Sequence, residues 1–167
     1  ELKGSQLTAI SDQIRNQYPY MEAIGYLTWT PHDDRSWLEE TLREEGVARF
    51  AIRDTTADGV PARTPAEHRD VYLPLTFLEP LGPQNARWLG ADMLTLGPVH
   101  ALFETASETG SVGATIGPFL GATSPQLVLL RSTYFGHYTP ESPTDRLEQR
   151  SGAFLLVLDL ETLTRGM

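Results

Sequence analysis

Two apolar segments near the C-terminal end limit the fold of this chain more than any other feature. Residues 126–135 (QLVLLRSTYF) and 152–160 (GAFLLVLDL) are rich in the β-branched, aromatic and aliphatic side chains that favour strands. They are not part of a long series of alternating strands and helices, which a parallel sheet would require. We therefore expect an α+β fold in which a mixed antiparallel sheet carries helices on one side.

Hydrophobic spacing predicts a helix at the N-terminus. Leu7, Ile10 and Ile14 recur at intervals of three and four residues, so residues 5–17 are expected to form an amphipathic helix. The apolar seam along this helix would also let it pair with the same helix of a second copy. A homodimer is expected on that basis.

Capping residues predict two further helices. Asp33 or Asp34 can cap the N-terminus of a helix that ends before Gly46. The next helix begins with Pro98 in its first turn and stops at Gly110. A last helix is expected after the final strand.

Short segments rich in aromatic and β-branched residues predict the remaining strands. They are residues 23–30, 49–53, 71–78, 88–92 and 112–116. Pro74 in the third of these cannot donate a ladder hydrogen bond, which implies an edge strand or a bulge. The polar stretches 54–67 and 136–150 are expected to be exposed loops.

Composition excludes several functional classes. The 167 residues carry a net charge of −9, which disfavours binding to phosphate backbones and to anionic lipid surfaces. The absence of cysteine removes disulfides, thiolate nucleophiles and cysteine-rich metal sites. No apolar run approaches the roughly 20 residues of a membrane-spanning helix. The chain begins without an initiator Met, so we expect it to be a piece of a longer protein.

Motifs for catalysis are incomplete. His68, Arg69 and Asp70 are typical of a kinase catalytic loop, but the Asn required five residues later is Leu75. Glycines spaced as GxxGxxxG at positions 110–117 follow a predicted helix, whereas a dinucleotide fingerprint follows a strand. The GxSxG elbow of serine hydrolases is absent. We therefore predict that the chain is not an enzyme.

The histidines and acidic residues do not predict a metal site. His32, Asp33 and Asp34 are adjacent, and helix capping explains them without a metal ion. The other three histidines are scattered along the sequence, and no two of them have the spacing of a helical metal site. We predict no metal and no cofactor.

Aromatic and small polar residues are concentrated on two of the predicted strands. They are Tyr26, Thr28, Trp29, Tyr72, Thr76, Phe77 and Glu79. Such a set suits a concave, mostly apolar pocket with a few hydrogen-bonding groups. Each of these rings could equally belong to the hydrophobic core.

The order of the motifs resembles a known family. Residues 24–29 (IGYLTW) precede 34–46 (DRSWLEETLREEG) and Phe50-Ala51-Ile52. Residues 69–80 (RDVYLPLTFLEP) follow, then Gly90-Ala91-Asp92, Thr109-Gly110 and Gly117-Pro118-Phe119. This series resembles the CHASE domain, an extracytoplasmic sensor module of histidine kinases, nucleotide cyclases and diguanylate cyclases. The block 72–80 and the LREEG helix are the most specific parts.

The resemblance implies a fold and a location. Residues 1–20 would be part of an N-terminal stalk helix, and 21–121 a membrane-distal PAS-like sensor subdomain. Residues 122–167 would be part or all of a membrane-proximal PAS-like subdomain. The segment would lie on the periplasmic or extracellular side of an inner or plasma membrane, joined to it by flanking helices. A cytoplasmic kinase or cyclase would be the output.

The resemblance also implies a small-molecule ligand in the distal pocket. The expected binding residues are Trp29, Tyr72, Thr76, Glu79, Asp92, Gly117 and Phe119. Plant members bind adenine-type cytokinins, and Glu79 stands near the place of their purine-binding acid. The family's threonine and serine are replaced here by Ile116 and Gly117, so the ligand itself is not specified.

Two other functions stay open from the sequence. The first is a structural or dimerisation module of a membrane receptor that binds no ligand. The second is an enzyme whose site has no recognised motif. Stabilisation by a small molecule would separate a sensor from a structural module, because only a ligand that binds the folded state stabilises it.

Overall fold

The structure, a computed structural model, describes residues 4–166. The helices are α1 (Gly4–Gln17), α2 (Arg35–Glu44), α3 (Pro83–Ala86), α4 (Gly97–Thr109), α5 (Pro143–Gln149) and α6 (Leu160–Arg165). The strands are β1 (Met21–Thr28), β2 (Thr30–Pro31), β3 (Val71–Tyr72), β4 (Leu75–Glu79), β5 (Gly113–Gly117), β6 (Gln126–Tyr134) and β7 (Arg150–Asp159). None of the described helices is long and apolar enough to cross a membrane.

Five strands form one antiparallel sheet in the order β4-β1-β7-β6-β5. The two segments that most limited the fold, β6 and β7, pair along nearly their whole length. Strands β2 and β3 form a separate two-stranded sheet. The predicted α+β fold, an N-terminal helix followed by PAS-like antiparallel sheets, is confirmed.

The sheet joins parts of the chain that were expected to lie in different subdomains. Strand β1, from the segment 21–121, and strand β6, from the segment 122–167, both hydrogen bond to β7. The boundary expected at residue 121 therefore does not separate two sheets. The placement of either segment relative to a membrane stays a prediction.

One face of the sheet carries the hydrophobic core. Alternating residues point to it, for example Leu27 of β1 and Leu155 of β7, and both are fully buried. Helix α4 covers this face through Leu102 and Phe103. A Cβ at Gly113 would come within 2.6 Å of Leu102 Cδ1, so glycine lets α4 approach the edge strand β5 closely.

Helix α1 lies on the opposite face. Thr8 Oγ1 donates a hydrogen bond of 2.9 Å to Glu79 Oε1. Glu79 is paired with Ile24, and cross-strand partners lie on the same face of a sheet. Because the neighbouring Ala23 points into the core, Ile24 and Glu79 face the other way. The expectation of helices on one side only is therefore wrong, because α1 uses the outer face as its own packing surface.

The predicted dimer seam of α1 is partly used within the chain. Leu7 and Ile14 are half-buried, and Ser11 between them is buried. Ile10 remains 45% exposed. Pairing of α1 with a second copy stays a prediction, with Ile10 as its most accessible apolar residue.

Two predicted strands are not strands. Residues 49–53 and 88–92 approach each other, but the one bridge between these two segments is an isolated one that joins Arg53 to Ala91. Gly90 lies at φ +90 where these segments meet, and a Cβ there would be 2.1 Å from the Ala51 carbonyl oxygen. The prediction failed because alternation alone does not show whether a partner strand is within reach.

Proline explains two further local features. Pro74 interrupts the predicted strand 71–78, dividing it into β3 and the edge strand β4, as the sequence implied. The stretch 136–150, predicted to be a loop, contains α5, whose Ser142 Oγ accepts a hydrogen bond of 3.1 Å from Asp145 N. Ser142 followed by Pro143 was a helix-start signal that the prediction missed.

Candidate ligand-binding site

Tyr72 lies in a hydrogen-bond network beneath α2. Its ring is fully buried, and its hydroxyl accepts hydrogen bonds from Arg69 N at 2.9 Å and Arg35 Nη1 at 3.1 Å. The hydroxyl donates to the Glu67 carbonyl oxygen at 3.1 Å, and His32 Nδ1 is also within 3.1 Å. These protein partners satisfy the hydroxyl, so Tyr72 anchors the loop before β3.

Asp92 is buried in an ionic network. Its Oδ1 accepts hydrogen bonds from Leu73 N at 2.8 Å and Leu94 N at 3.1 Å. Its Oδ2 accepts one of 2.6 Å from Arg69, which is also paired with Asp54. Hydrogen bonds to Asp54 and Asp92 raise the pKa of Arg69, so this arginine remains charged.

Trp29 belongs to an aromatic and cationic stack. Its ring lies 5.7 Å from that of Phe103, with 28° between the planes. The guanidinium carbon of Arg150 lies 4.0 Å from the centroid of Trp29, and Arg150 Nη1 donates 3.0 Å to Glu104 Oε1. Such cation–π contacts hold the indole against α4.

Thr76 and Glu79 do not join these residues. Thr76 Oγ1 lies 2.7 Å from Thr28 Oγ1. Thr28 follows the core-facing Leu27 in β1, so its side chain lies on the outer face of the sheet. Glu79 bonds to Thr8 of α1 on the outer face of the sheet. These two predicted residues are therefore separated by the sheet from the buried pair Tyr72 and Asp92.

Phe119 lines a cleft of about 240 Å³ between α3 and the loop after β5. Its other lining residues include Glu22, Asn85, Leu120, Gly121 and Gln126. Gly117, two residues before Phe119, ends β5, and a Cβ there would meet no atom within 4 Å. Of the seven predicted binding residues, Phe119 is the one that lines this cleft.

Two successive hydrogen bonds cross the cleft. Gln126 Oε1 accepts a hydrogen bond of 2.8 Å from Phe119 N, and Gln126 Nε2 donates to the Glu22 carboxylate. Glu22 sits at a register shift of β1 against β7, between Met21 and Ala23. Irregularities of this kind re-aim a side chain, here towards Gln126.

The cleft combines apolar and polar groups in one concave surface. The Phe119 ring lies 5.9 Å from that of buried Trp88, so its position is set by the core. Asn85 Nδ2 donates 2.9 Å to the Pro80 carbonyl oxygen, which ties the turn after β4 to the cleft. A carboxylate and three carboxamides beside an aromatic ring suit a small molecule with N–H donors and an apolar part.

Sequence reasoning missed Glu22 and Gln126. Glu22 directly precedes the predicted strand 23–30 and Gln126 begins the predicted strand 126–135, and polar residues at such positions are usually solvated. Gln126 occupies a core-facing position of β6 and is buried, as Val128 and Leu130 are. A polar residue in register with inward apolar residues was the available signal, because a buried polar group needs a partner.

No set of three histidine or acidic side chains in residues 4–166 is placed to hold a metal ion. The rings of His32 and His68 are in contact, with centroids 3.9 Å apart.

Comparison with models of known protein families matches residues 6–167 to the family described as the CHASE domain. A search of curated proteins finds no match.

Proposed function

The chain belongs to the CHASE domain family, and from that membership we propose that it senses a small molecule for a transmembrane signalling receptor. CHASE domains are extracytoplasmic sensor domains of signalling receptors, and they are not catalytic. The proposal adds that the signal passes to a cytoplasmic histidine kinase or a nucleotide or diguanylate cyclase.

The cleft at Phe119 is the proposed ligand site, and the Glu22–Gln126 contact is the observation that carries it. Gln126 is buried, so its contact with Glu22 places a carboxylate at the wall of the cleft. A ligand with N–H donors would compete with Gln126 for that carboxylate. Leu120 beside it adopts φ +51, a conformation that costs free energy in a non-glycine residue and often accompanies binding sites.

The position of Glu22 supplies a route for the signal. It lies five residues after the end of α1. Two residues before Glu22, the Tyr20 carbonyl oxygen accepts a hydrogen bond of 2.8 Å from the backbone N of Asp159, the residue immediately before α6. A ligand that changes the position of Glu22 would therefore act on the junction of the first and last described helices. Such a ligand shifts the receptor only by its differential affinity for the two arrangements.

A thermal-shift screen against small metabolites tests this function. A ligand at a hundredfold excess over its Kd adds about 2.7 kcal/mol of stability. For a chain of this size that raises Tm by roughly 5–10 °C. We expect hits with N–H donors, and we expect Glu22→Gln to lose most of the shift.

The matched control is Glu148→Gln, which removes an exposed carboxylate on α5. It should leave the shift unchanged. A protein that no compound stabilises would contradict ligand sensing and favour the structural alternative.

That alternative, a ligand-free dimerisation module, has one observation in its favour. The core face of the sheet is filled by protein side chains, including Tyr72, Trp88 and Phe103, rather than left open. Sedimentation of the wild type and of Ile10→Asp tests the dimer. We expect the substitution to produce a monomer if α1 forms the interface, because it places a charge in an apolar seam.

A further inference from the structure

A second cleft, of about 310 Å³, shares no lining residue with the cleft at Glu22 and Phe119. Its walls come from the turn after α2, the loop around residue 63 and the end of α3. Val47, Pro65 and Ala86, none of which is buried, supply apolar surface to these walls. Arg49, Arg53 and Arg63 supply charge, and no described residue lining the cleft is acidic.

The three arginines have no ionic partner among residues 4–166. None of the salt bridges formed by residues 4–166 involves Arg49, Arg53 or Arg63. This is unexpected in a chain with a net charge of −9, where carboxylates outnumber cations. Three residues of like charge that line one concave surface create a local positive potential that attracts anions.

Arg53 is held rigidly but is not neutralised. Its Nη1 donates 3.1 Å to the Ala62 carbonyl oxygen, and its Nη2 donates 2.9 Å to that of Leu89 and also to that of Arg87. Carbonyl oxygens satisfy hydrogen bonds without removing the charge. Partial burial lowers the pKa of Arg53, as expected for a cation that lacks a counter-ion.

Arg49, one of the residues that line the cleft, has an unusual backbone conformation. It has φ +60, in the left-handed region that non-glycine residues rarely adopt. The turn is held by a hydrogen bond of 3.1 Å from Phe50 N to the Val47 carbonyl oxygen. Arg43 Nε secures it with a 2.8 Å bond to the Phe50 carbonyl oxygen. Strain of this kind persists where the surrounding structure enforces it, often at binding sites.

We propose that this cleft binds a small organic carboxylate. The guanidinium groups of Arg49 and Arg63 pair with the carboxylate, while Arg53 adds positive potential from the wall. The apolar body of the ligand packs against Val47, Pro65 and Ala86. Guanidinium groups suit carboxylates because their N–H donors match the two oxygens.

Titration calorimetry with benzoate and hexanoate, each compared with its neutral amide, tests the proposal. We expect at least one carboxylate to bind and its amide to bind at least about tenfold more weakly, because the charge-assisted hydrogen bonds are lost. The double variant Arg49→Gln/Arg63→Gln should weaken carboxylate binding by a similar factor. Arg53 is left intact, because its bonds to three carbonyl groups also support the fold.

The matched control is Arg131→Gln/Arg165→Gln, which removes the same charge from exposed positions elsewhere. It should retain binding. The proposal is overturned if neither carboxylate binds, if the amides bind equally well, or if the Arg49/Arg63 variant binds as the wild type does. Inorganic phosphate that binds as tightly as the carboxylates would also overturn it, since the apolar wall would then contribute nothing. Glu22→Gln should not affect this site, so its outcome is independent of the sensing test.

Discussion

The guanidinium of Arg69 lies 2.6 Å from the fully buried carboxylate of Asp92. Through this pair the loop before β3 is fastened to the segment that follows β4 along the chain. Neither residue is among those that line the two clefts. The Arg69–Asp92 pair stabilises the packing of these two segments on the core side of the sheet. The effect of removing this contact, and of changing three others, can be measured.

Asp92→Ala should strongly destabilise the protein. It removes acceptors from Leu73 N and Leu94 N and leaves Arg69 with one carboxylate instead of two. Breaking a buried ion pair from one side typically costs about 3–5 kcal/mol. Urea unfolding measures the loss, and Asp58→Ala in the exposed loop is the control, expected to change the free energy of unfolding by less than about 0.5 kcal/mol. Equal midpoints for the two variants would contradict the role given to Asp92.

Gly90→Ala should destabilise the protein through the backbone. The residue has φ +90, and its new Cβ would be 2.1 Å from the Ala51 carbonyl oxygen. The left-handed conformation alone costs roughly 1–2 kcal/mol, and the clash adds to it. Gly97→Ala in the first turn of α4 is the matched control, because its Cβ would meet nothing within 4 Å. Thermal unfolding should show a lower Tm for the first variant only.

Tyr134 should make the protein less stable at alkaline pH. Burial raises the pKa of its phenol above the ordinary value of 10.0. Above pH 10.0 the unfolded chain therefore loses this proton while the folded chain retains it, so stability falls as pH rises. Tyr134→Phe removes this contribution, although it loses the 2.9 Å hydrogen bond to the Ser107 carbonyl oxygen, worth about 1 kcal/mol.

The measurement is the free energy of unfolding between pH 8 and 11. Tyr134→Phe should be less stable than the wild type at pH 8 and should decline less steeply above pH 10. Tyr138→Phe, at an exposed position, should follow the wild-type curve. Parallel curves for the wild type and Tyr134→Phe would refute the assignment.

Glu79→Ala should loosen α1 from the sheet. The residue accepts the 2.9 Å hydrogen bond from Thr8, which is partly buried. Losing about 1 kcal/mol of local stability accelerates opening roughly fivefold. Hydrogen exchange of the α1 amides should show this, whereas Glu40→Ala on the exposed side of α2 should leave α1 unchanged. Unaltered exchange in Glu79→Ala would mean that apolar packing alone holds the helix.

Much of the secondary structure could be predicted from local patterns. The apolar strands β6 and β7, the spacing of Leu7 and Ile14 in α1, and the stop of α4 at Gly110 all follow from the residues themselves. Gly110 lies at φ +69, as the stop signal required. These predictions hold because periodicity and capping depend on neighbours within a few residues.

The candidate site could be predicted only in part. Phe119 lines a cleft. The other three predicted residues that are central to the core side contact arginines of the protein itself: Trp29 contacts Arg150, Tyr72 contacts Arg35, and Asp92 contacts Arg69. Aromatic rings flanked by polar groups are typical both of ligand pockets and of cores whose polar groups are hydrogen-bonded within the protein. The difference depends on which distant side chain fills the space.

The sequence by itself determined the family, the α+β class and the strands that form the centre of the sheet. Only the tertiary structure decided that residues before and after position 121 share that sheet, and that Glu22 meets Gln126 across 104 positions of sequence. The physical reason is range. Helix periods, caps and turns are set by local backbone energetics, while strand partners, ion pairs and clefts depend on contacts that form only when the whole chain packs.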